Sequence, residues 1–478
     1  MGNYTIQSTA INKDRVFILQ KSELEKRWDT YYYLPEFIVL EEKLKNKNIK
    51  KISQIAERIF SGSTPLSKGD AYTDNKVDGI PFVRSGDFTI EGTINFEDLV
   101  YLKEEVHNTQ LKSSKLKRND LLFAIVGATI GKVGVYKNDK PANINQAICA
   151  VRLKKEFNVD YLNAYFQTSI GQKLIDRIKR PVARANVNID EISTLPVIIP
   201  NNETQQKIIS IFNNSLAQKQ QNEAEADKLL ASIDDYLLNE LGINLPEPPE
   251  NTLKNRMFTR TLSEIQNKRV DPFFHQDKFI NNLTAISNGK YPVKQLRDII
   301  SGNLIKGSLP KQDEKDGEYS VVQINSINAD GTIALDDLLT AKNIFSNQQK
   351  LKVGDVLVVI TGATIGKIAF WNYEGDYFLG GDIVKFQTNS LSDNAFVYHF
   401  LRCSLMQTEI KRNITGATNG HLAPEDIAHL PIPIPPLTKQ QEIADHITSI
   451  RQQAQQLKDK TSELLKQASE EIEKILLN

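Results

Sequence analysis

The amino-acid sequence predicts a mixed α/β (α+β) chain organised as a tandem repeat: two strand-rich domains, each followed by a long helix, with the two helices forming an antiparallel coiled coil. Three observations predict it. The stretch Val126-Gly-Ala-Thr-Ile-Gly-Lys132 returns as Thr361-Gly-Ala-Thr-Ile-Gly-Lys367, so that Gly127 recurs 235 positions on as Gly362. The same offset carries Ile192-Ser-Thr-Leu-Pro196 to Ile427-Ala-His-Leu-Pro431, and Gln205-Gln-Lys-Ile208 to Gln440-Gln-Glu-Ile443. After each proline-punctuated stretch the composition changes to helix formers for nearly forty residues. Chance would not hold one register through three anchors, and self-similarity at a fixed period is the mark of a duplicated unit.

Taken in order, a tail at 1–12 precedes a first domain at 13–200, and a second domain occupies 254–436. Arg15-Val-Phe17 and Arg27-Trp-Asp-Thr-Tyr-Tyr32 open the first; Arg256-Met-Phe258 and Arg269-Val-Asp-Pro-Phe-Phe274 open the second. The offset falls from 242 to 235 across the first half of each copy, so small insertions and deletions collect there. Sequence divergence collects there too: Val83-Arg84-Ser85-Gly86-Asp87 faces Val322-Gln323-Ile324-Asn325-Ser326. A common scaffold carrying two different faces is expected. The apolar, β-branched runs 121–126 and 356–360 read as strands entered through polar turns, and the two glycines that follow make a tight turn into second strands at 133–136 and 368–371. Proline removes amide donors, so 195–200 and 430–436 read as edge or connecting strands.

The long helices are placed at 201–242 and 437–478, with a proline-rich linker at 243–253. In the second, positions 443, 447, 450, 454, 457, 461, 464 and 468 alternate by four and three, which is a heptad seam. The first repeats it less cleanly through Ile208, Phe212, Ala226, Leu230, Ile233 and Leu237, and stops at Gly242, a good terminator. Two like units in one chain associate about a pseudo-twofold axis, which makes the helices antiparallel. At about 1.5 Å per residue they would form a rod of roughly 50 Å.

Composition narrows the function classes. With 478 residues, 40% apolar and 25% charged, the chain can bury more than one core. No run approaches the roughly 20 apolar residues of a membrane helix, and no secretory pattern opens the sequence, so a cytoplasmic protein is expected. Cys149 and Cys403 sit far apart in apolar contexts and read as buried thiols. The 59 basic residues balance 59 acidic ones, so only local clustering could attract a polyanion.

Catalytic motifs are missing. A phosphate loop needs four residues between its glycines and a hydroxyl residue after the lysine, whereas here there are three, followed by Val133 or Ile368. The six histidines show no metal-ligand spacing, and no nucleophile is nominated, so a binder rather than an enzyme is expected. Basic and amide side chains cluster at Lys112, Lys115, Lys117 and Arg118, at Lys173, Arg177, Lys179, Arg180 and Arg184, and at Lys411 and Arg412 followed by Thr418, Asn419 and His421. Arginines and amides suit base edges, whereas lysines suit phosphates. Candidate DNA contacts are therefore Arg84, Ser85, Asp87, Gln323 and Asn325 on the divergent face; Lys132 and Lys367 in the repeated turns; and Lys179, Arg180, Arg184, Lys411, Arg412, Thr418, Asn419 and His421 in the basic loops.

The Arg-x-Asp-x-aromatic-aromatic segments, the Gly-Ala-Thr-Ile-Gly-Lys pair, Val187-Asn-Ile-Asp-Glu-Ile192 with Leu422-Ala-Pro-Glu-Asp-Ile427, the Leu-Pro strands and the Gln-Gln-x-Ile helix starts occur in this order twice. In them the chain resembles the specificity subunits of type I restriction-modification systems over essentially its full length. The resemblance implies two target-recognition domains reading a bipartite, asymmetric site in double-stranded DNA. It also implies docking of two DNA methyltransferase (modification) subunits, which bring S-adenosylmethionine chemistry at adenine N6, and of restriction (motor-nuclease) subunits, which use ATP and Mg. This chain itself would hold no cofactor or metal. Two other readings are a specificity subunit serving a fused nuclease-methylase, and a coiled-coil scaffold with two protein-binding heads.

Overall fold

In the computed structural model the described residues are 17–478 without 20, 22, 23, 25, 26, 66–69, 90, 91, 181–185, 246, 248, 249, 251, 253–255, 266–268, 309–316, 318, 337, 342–345 and 417–419. The expected tail at 1–12 and the candidates Arg184, Thr418 and Asn419 lie outside them. The chain divides into two units, one reaching as far as Glu223 and taking in Asp459–Asn478, the other spanning Ala224–Lys458. Each unit thus holds one strand-rich region and a part of each long helix, a division that a linear reading of the repeat does not anticipate.

In the first unit the strands are β1 (Ile49–Lys51), β2 (Ala56–Ser61), β3 (Tyr72–Thr73), β4 (Ile80–Val83), β5 (Val100–Leu102), β6 (Lys115–Leu116), β7 (Leu121–Ala124), β8 (Val133–Val135), β9 (Ala142–Ile144), β10 (Ile148–Leu153) and β11 (Pro196–Ile198). They form an antiparallel sheet β2-β10-β7-β8, a mixed sheet β3-β5-β4-β9-β6 in which β4 and β9 run parallel, and the pair β1-β11. The second unit repeats this with β12 (Val293–Gln295), β13 (Ile305–Lys306), β14 (Tyr319–Val322), β15 (Leu339–Ala341), β16 (Val356–Val359), β17 (Ile368–Phe370), β18 (Tyr377–Leu379), β19 (Ile383–Phe386) and β20 (Pro431–Pro433). Its sheets are β13-β19-β16-β17, β15-β14-β18 with β14 parallel to β18, and β12-β20. The proline strands β11 and β20 pair on one side only, as donors lost to proline require.

The continuous apolar character of β7 and β16 follows from burial on both faces. Leu121 and Phe123 face one cluster with the helices Val159–Gln167 and Ser169–Ile178, whereas Leu122 faces the other sheet beside Val83, Phe88 and Ile144. In the second unit Val356 and Val358 join the helix-side cluster, and Leu357 and Val359 join Val322, Ile327 and Trp371. Both cysteines are free and fully or nearly fully buried, and burial pushes each thiol up to about 12.

The long helices run over Asn202–Leu241 and Leu437–Leu477, and Gly242 at φ +64° ends the first. Within the first unit Ile208 and Phe212 pack with Ile472 and Leu476, while Asn222 Nδ2 donates to Thr461 Oγ1 at 3.3 Å. Within the second, Tyr236 packs against His446 with the rings tilted by 42°, and Lys439 pairs with Glu240 at 2.7 Å. In each unit the paired segments therefore run antiparallel. The seam residues Ile443, Ile447, Ile450, Ala454, Thr461 and Ala468 are buried as their spacing predicts. The repeated Gln-Gln-x-Ile start is also explained. Gln440 is fully buried; it donates to the Pro435 carbonyl at 2.8 Å and accepts from the Ser392 hydroxyl at 2.8 Å. Gln205 makes the matching bond to the Pro200 carbonyl at 3.0 Å.

Candidate nucleic-acid interface

Three loops meet in each unit. The first leaves β4 or β14 through a short 3-10 turn, Ser85–Asp87 or Ile324–Ser326, and continues into a hairpin bridged by Phe88 with Ile94, or by Ile327 with Ile333. The second is the repeated glycine turn. The third follows the helix Ser169–Ile178 or Ser404–Asn413, and returns where Asn186 bridges Val126 or His421 bridges Thr361. Thus the structure brings Arg84, Ser85, Asp87, Lys132, Lys179 and Arg180 into one neighbourhood, and Gln323, Asn325, Lys367 and His421 into the equivalent one.

The glycine turn is a backbone device. Gly127 and Gly131 have φ of +74° and +100°, and Gly362 and Gly366 have +80° and +87°, a region L side chains rarely adopt. Its lysine acts as a strap: Lys132 Nζ donates to the Phe88 carbonyl at 3.1 Å, and Lys367 Nζ to the Ile327 carbonyl at 2.9 Å. Each strap ties the turn to the start of the hairpin. One of the three ammonium donors of each lysine named as a DNA candidate therefore holds a backbone carbonyl of the hairpin.

Arg412 is placed in the scaffold. It is 7% exposed; Nε donates to the Phe274 carbonyl at 2.8 Å, Nη1 pairs with Glu409 at 2.9 Å, and the guanidinium lies 4.0 Å from the Phe274 ring centroid. Arg177 in the first unit does the same with the Tyr32 carbonyl at 3.2 Å and the Tyr32 ring at 4.3 Å. A basic run offers no sign in the sequence of which member is stacked. Lys411, one residue earlier, is exposed.

The Arg-x-Asp motif closes the C-terminal ends of the same helices. Arg27 donates to the carbonyls of Ile178 at 2.7 Å and Lys179 at 3.0 Å, while Arg269 reaches those of Arg412, Asn413 and Ile414 at 3.3–3.4 Å. A cation there satisfies orphan carbonyls and opposes the helix dipole. Asp29 and Asp271 hold these arginines at 2.8 and 2.7 Å. Burial works to raise both carboxyls, but the arginine pairs and the amides of Tyr32 and Phe274 outweigh it and hold them below the usual range.

Arg84 and Gln323 occupy equivalent places at the ends of β4 and β14. The Arg84 amide donates to Asp87 Oδ2 at 2.7 Å, and the Gln323 amide to Ser326 Oγ at 3.2 Å. The Arg84 side chain, 43% exposed, pairs with Asp87 at 3.2 Å. Lys179 pairs with Asp176, and Arg180, 51% exposed, with Glu191 at 3.1 Å. Asn145 and Gln146, which the sequence reading does not single out, follow β9 beside this platform. The Asn145 amide donates to the Val83 carbonyl at 3.2 Å, beside Arg84, and Gly380 makes the matching bond to Val322 at 2.9 Å. The signal was present: at offset 235 Asn145-Gln146 faces Gly380-Gly381.

The type I restriction modification DNA specificity domain matches residues 42–230 and 288–473, one match to each copy of the repeat. The chain belongs to that family. Among specificity-domain relatives it is similar to the EcoBI specificity subunit of Escherichia coli, with 26% identity over 183 residues, 37% of this chain and 38% of the relative. It is also similar to the EcoKI specificity subunit of E. coli strain K12, at 24% over 35% of this chain and 37% of the relative. The matched stretch thus spans well under half of either E. coli protein. A putative MjaX specificity subunit of Methanocaldococcus jannaschii is 21% identical over 90% of this chain and 92% of its own length. Among solved structures, a chain from a study of complex assembly and conformational transition of the type I R-M system aligns with TM-score 0.50 and 14% identity, covering 90% of this chain and 96% of that one. That likeness places this specificity-domain chain in the same fold. Among the described residues no helix is long and apolar enough to cross a membrane.

Proposed function

We propose that the chain reads a bipartite, asymmetric site in double-stranded DNA without catalysing any step itself. Each unit presents its three joined loops to the major groove at one half-site, and the two long helices act as an antiparallel coiled-coil spacer. The observation that carries this reading is the equivalence of Arg84 and Gln323. One backbone platform, held by the same lysine strap, offers an arginine in one unit and a glutamine in the other. Arginine suits guanine O6 and N7, and glutamine suits adenine N6 and N7, each bidentate contact being worth about 1–3 kcal/mol. The Arg84 side chain is 43% exposed although its partner Asp87 is only 10% exposed, so in this reading a base edge competes with Asp87 for the guanidinium. Asn145 and Gln146 add readout beside Arg84, whereas Lys411, Lys179 and Arg180 touch phosphates. A spacer of roughly 50 Å exceeds one duplex turn of about 34 Å, which puts the half-sites one turn or more apart.

In this reading two DNA methyltransferase subunits and the restriction subunits dock on the chain. Those partners bring S-adenosylmethionine, ATP and Mg, and adenine N6 is the methylated position. Methylation profiling of DNA from cells with and without the gene tests it. One bipartite modified motif, gained with the gene and lost without it, is expected; an unchanged methylome in cells holding the partner genes would refute it.

A further inference from the structure

The turn that joins β9 to β10 and the turn that joins β18 to β19 are one backbone device used twice. Each is anchored to the readout platform, where the Asn145 amide donates to the Val83 carbonyl and the Gly380 amide to the Val322 carbonyl. The Ile148 amide closes the first turn on the Asn145 carbonyl at 3.2 Å, and the Ile383 amide closes the second on the Gly380 carbonyl at 3.2 Å. The third residue of each turn then accepts from the strand that leads into the glycine turn: Ala147 from the Ile125 amide at 2.9 Å, and Asp382 from the Ile360 amide at 3.0 Å. Close packing seats the second turn on Gln323. A Cβ on Gly380 would stand 2.6 Å from the Val322 carbonyl oxygen and 3.4 Å from Gln323 Cγ, and one on Gly307 would stand 2.0 Å from the Gly380 carbonyl oxygen. Backbone approaches backbone here as glycine alone permits.

The side chains on this shared frame differ. The first turn carries Gln146 and Ala147; the second carries Gly381 and Asp382. Asp382 is partly exposed, and among the described residues its carboxylate has no hydrogen-bond or ion-pair partner. Asp87, the carboxylate on the first unit's platform, is by contrast taken up by the Arg84 amide at 2.7 Å and the Arg84 guanidinium at 3.2 Å. A carboxylate left free on a surface that meets DNA is repelled by the phosphates and by every acceptor on a base edge. It is favoured only where the groove offers a donor. In the major groove the donors are the amino groups of cytosine N4 and adenine N6, and adenine sets its N7 acceptor beside the amino group, whereas cytosine presents no acceptor there.

We propose that Asp382 is a specificity residue, accepting a hydrogen bond from the N4 amino group of a cytosine in the half-site of the second unit, beside the base edge met by Gln323. It rests on the groove-facing role of these loops. The carboxylate selects twice over, by the bond it makes to cytosine and by its repulsion of guanine O6 and N7 and of thymine O4.

The test measures the affinity of the 478-residue chain, assembled with its methyltransferase subunits, for duplexes carrying its motif, for every single-base variant of that motif, and for duplexes with pyrimidin-2-one, which lacks the 4-amino group, in place of each cytosine. Asp382→Ala installs the residue of the sister turn and removes no protein contact. At one cytosine the native chain should lose about 10- to 100-fold more affinity on pyrimidin-2-one than Asp382→Ala does, the loss of one hydrogen bond to a charged group. At the same position Asp382→Ala should bind the other bases better than the native chain, because the repulsion is gone. Asp382→Asn, whose amide matches adenine N6 and N7, should move the preference there toward adenine. A selective native chain whose base profile is unchanged in Asp382→Ala, or falls uniformly across all variants, would overturn the proposal and leave the DNA-reading role standing. A native chain that distinguishes no sequence would overturn both.

Discussion

Removing the Arg412 guanidinium separates scaffold from interface most sharply, because its neighbour Lys411 serves as a control. Glu409, whose side chain is 6% exposed, has Arg412 as its cationic partner, and its Oε2 has no hydrogen-bond partner. Burial pushes the Glu409 carboxyl up, and the Arg412 pair only partly offsets this. Arg412→Ala would leave that carboxylate buried without a cation. Breaking a buried pair from one side costs about 3–5 kcal/mol. The lost stacking on Phe274 adds about 1 kcal/mol at most once shared with that figure. With a urea m-value of about 2 kcal/mol/M the unfolding midpoint of the second unit should fall by about 2 M. Tryptophan fluorescence reports that unit, since Trp371 is fully buried whereas Trp28 is 79% exposed. Lys411→Ala should change stability by less than about 0.5 kcal/mol, a midpoint shift under about 0.25 M, yet weaken DNA binding for all sequences and lower the salt slope by about one. An unchanged midpoint for Arg412→Ala, together with a lowered salt slope, would refute the scaffold assignment and return Arg412 to the phosphate contacts.

Other outcomes follow from the same geometry. Arg84→Ala should relax preference at one base position by about 1–3 kcal/mol, measured as affinity for every single-base variant of the motif; an equal loss across all variants would place Arg84 in the scaffold. One heptad inserted into each long helix, beside Asn222 and beside Thr461, lengthens each by about 10 Å and should lengthen the non-read spacer by about three base pairs. An active complex with its old spacer would contradict that. Burial raises the carboxyls of Asp29 and Asp271, yet their arginine pairs and backbone amides hold both below the ordinary aspartate range in the folded chain. Their contribution is therefore present above pH 4 or so and is lost as pH falls through the folded values. Asp29→Asn combined with Asp271→Asn should lose less urea resistance than the native chain between pH 7 and pH 3, and an equal loss would assign the acid sensitivity elsewhere.

The elements legible in the sequence were those fixed by local pattern. The strands at 121–124 and 356–359, the glycine turns, the proline strands and both long helices appear within a few residues of where apolar period and turn chemistry put them. The seam of the first long helix was only partly legible, because Ser215 and Asn222 are buried in it although their types are polar. Hydrogen bonds, not apolar area, make those positions tolerable, and spacing does not record them. Arg412 misled for a related reason: a cation used to pair a buried carboxylate and cover an aromatic ring reads the same as one offered to a phosphate. Asn145 and Gln146 were hidden because their nearness to Arg84 arises from the parallel pairing of β4 with β9, contacts about sixty residues apart in the chain.

The central claim is that each unit reads its own half of the site through its own loops. The most direct measurement exchanges residues 49–198, from β1 to β11, for those of a relative with a different motif, keeps both long helices, and maps the methylated sequence by single-molecule sequencing. The account predicts that one half of the motif changes while the other half and the spacer length stay as they were. A motif altered in both halves would contradict it.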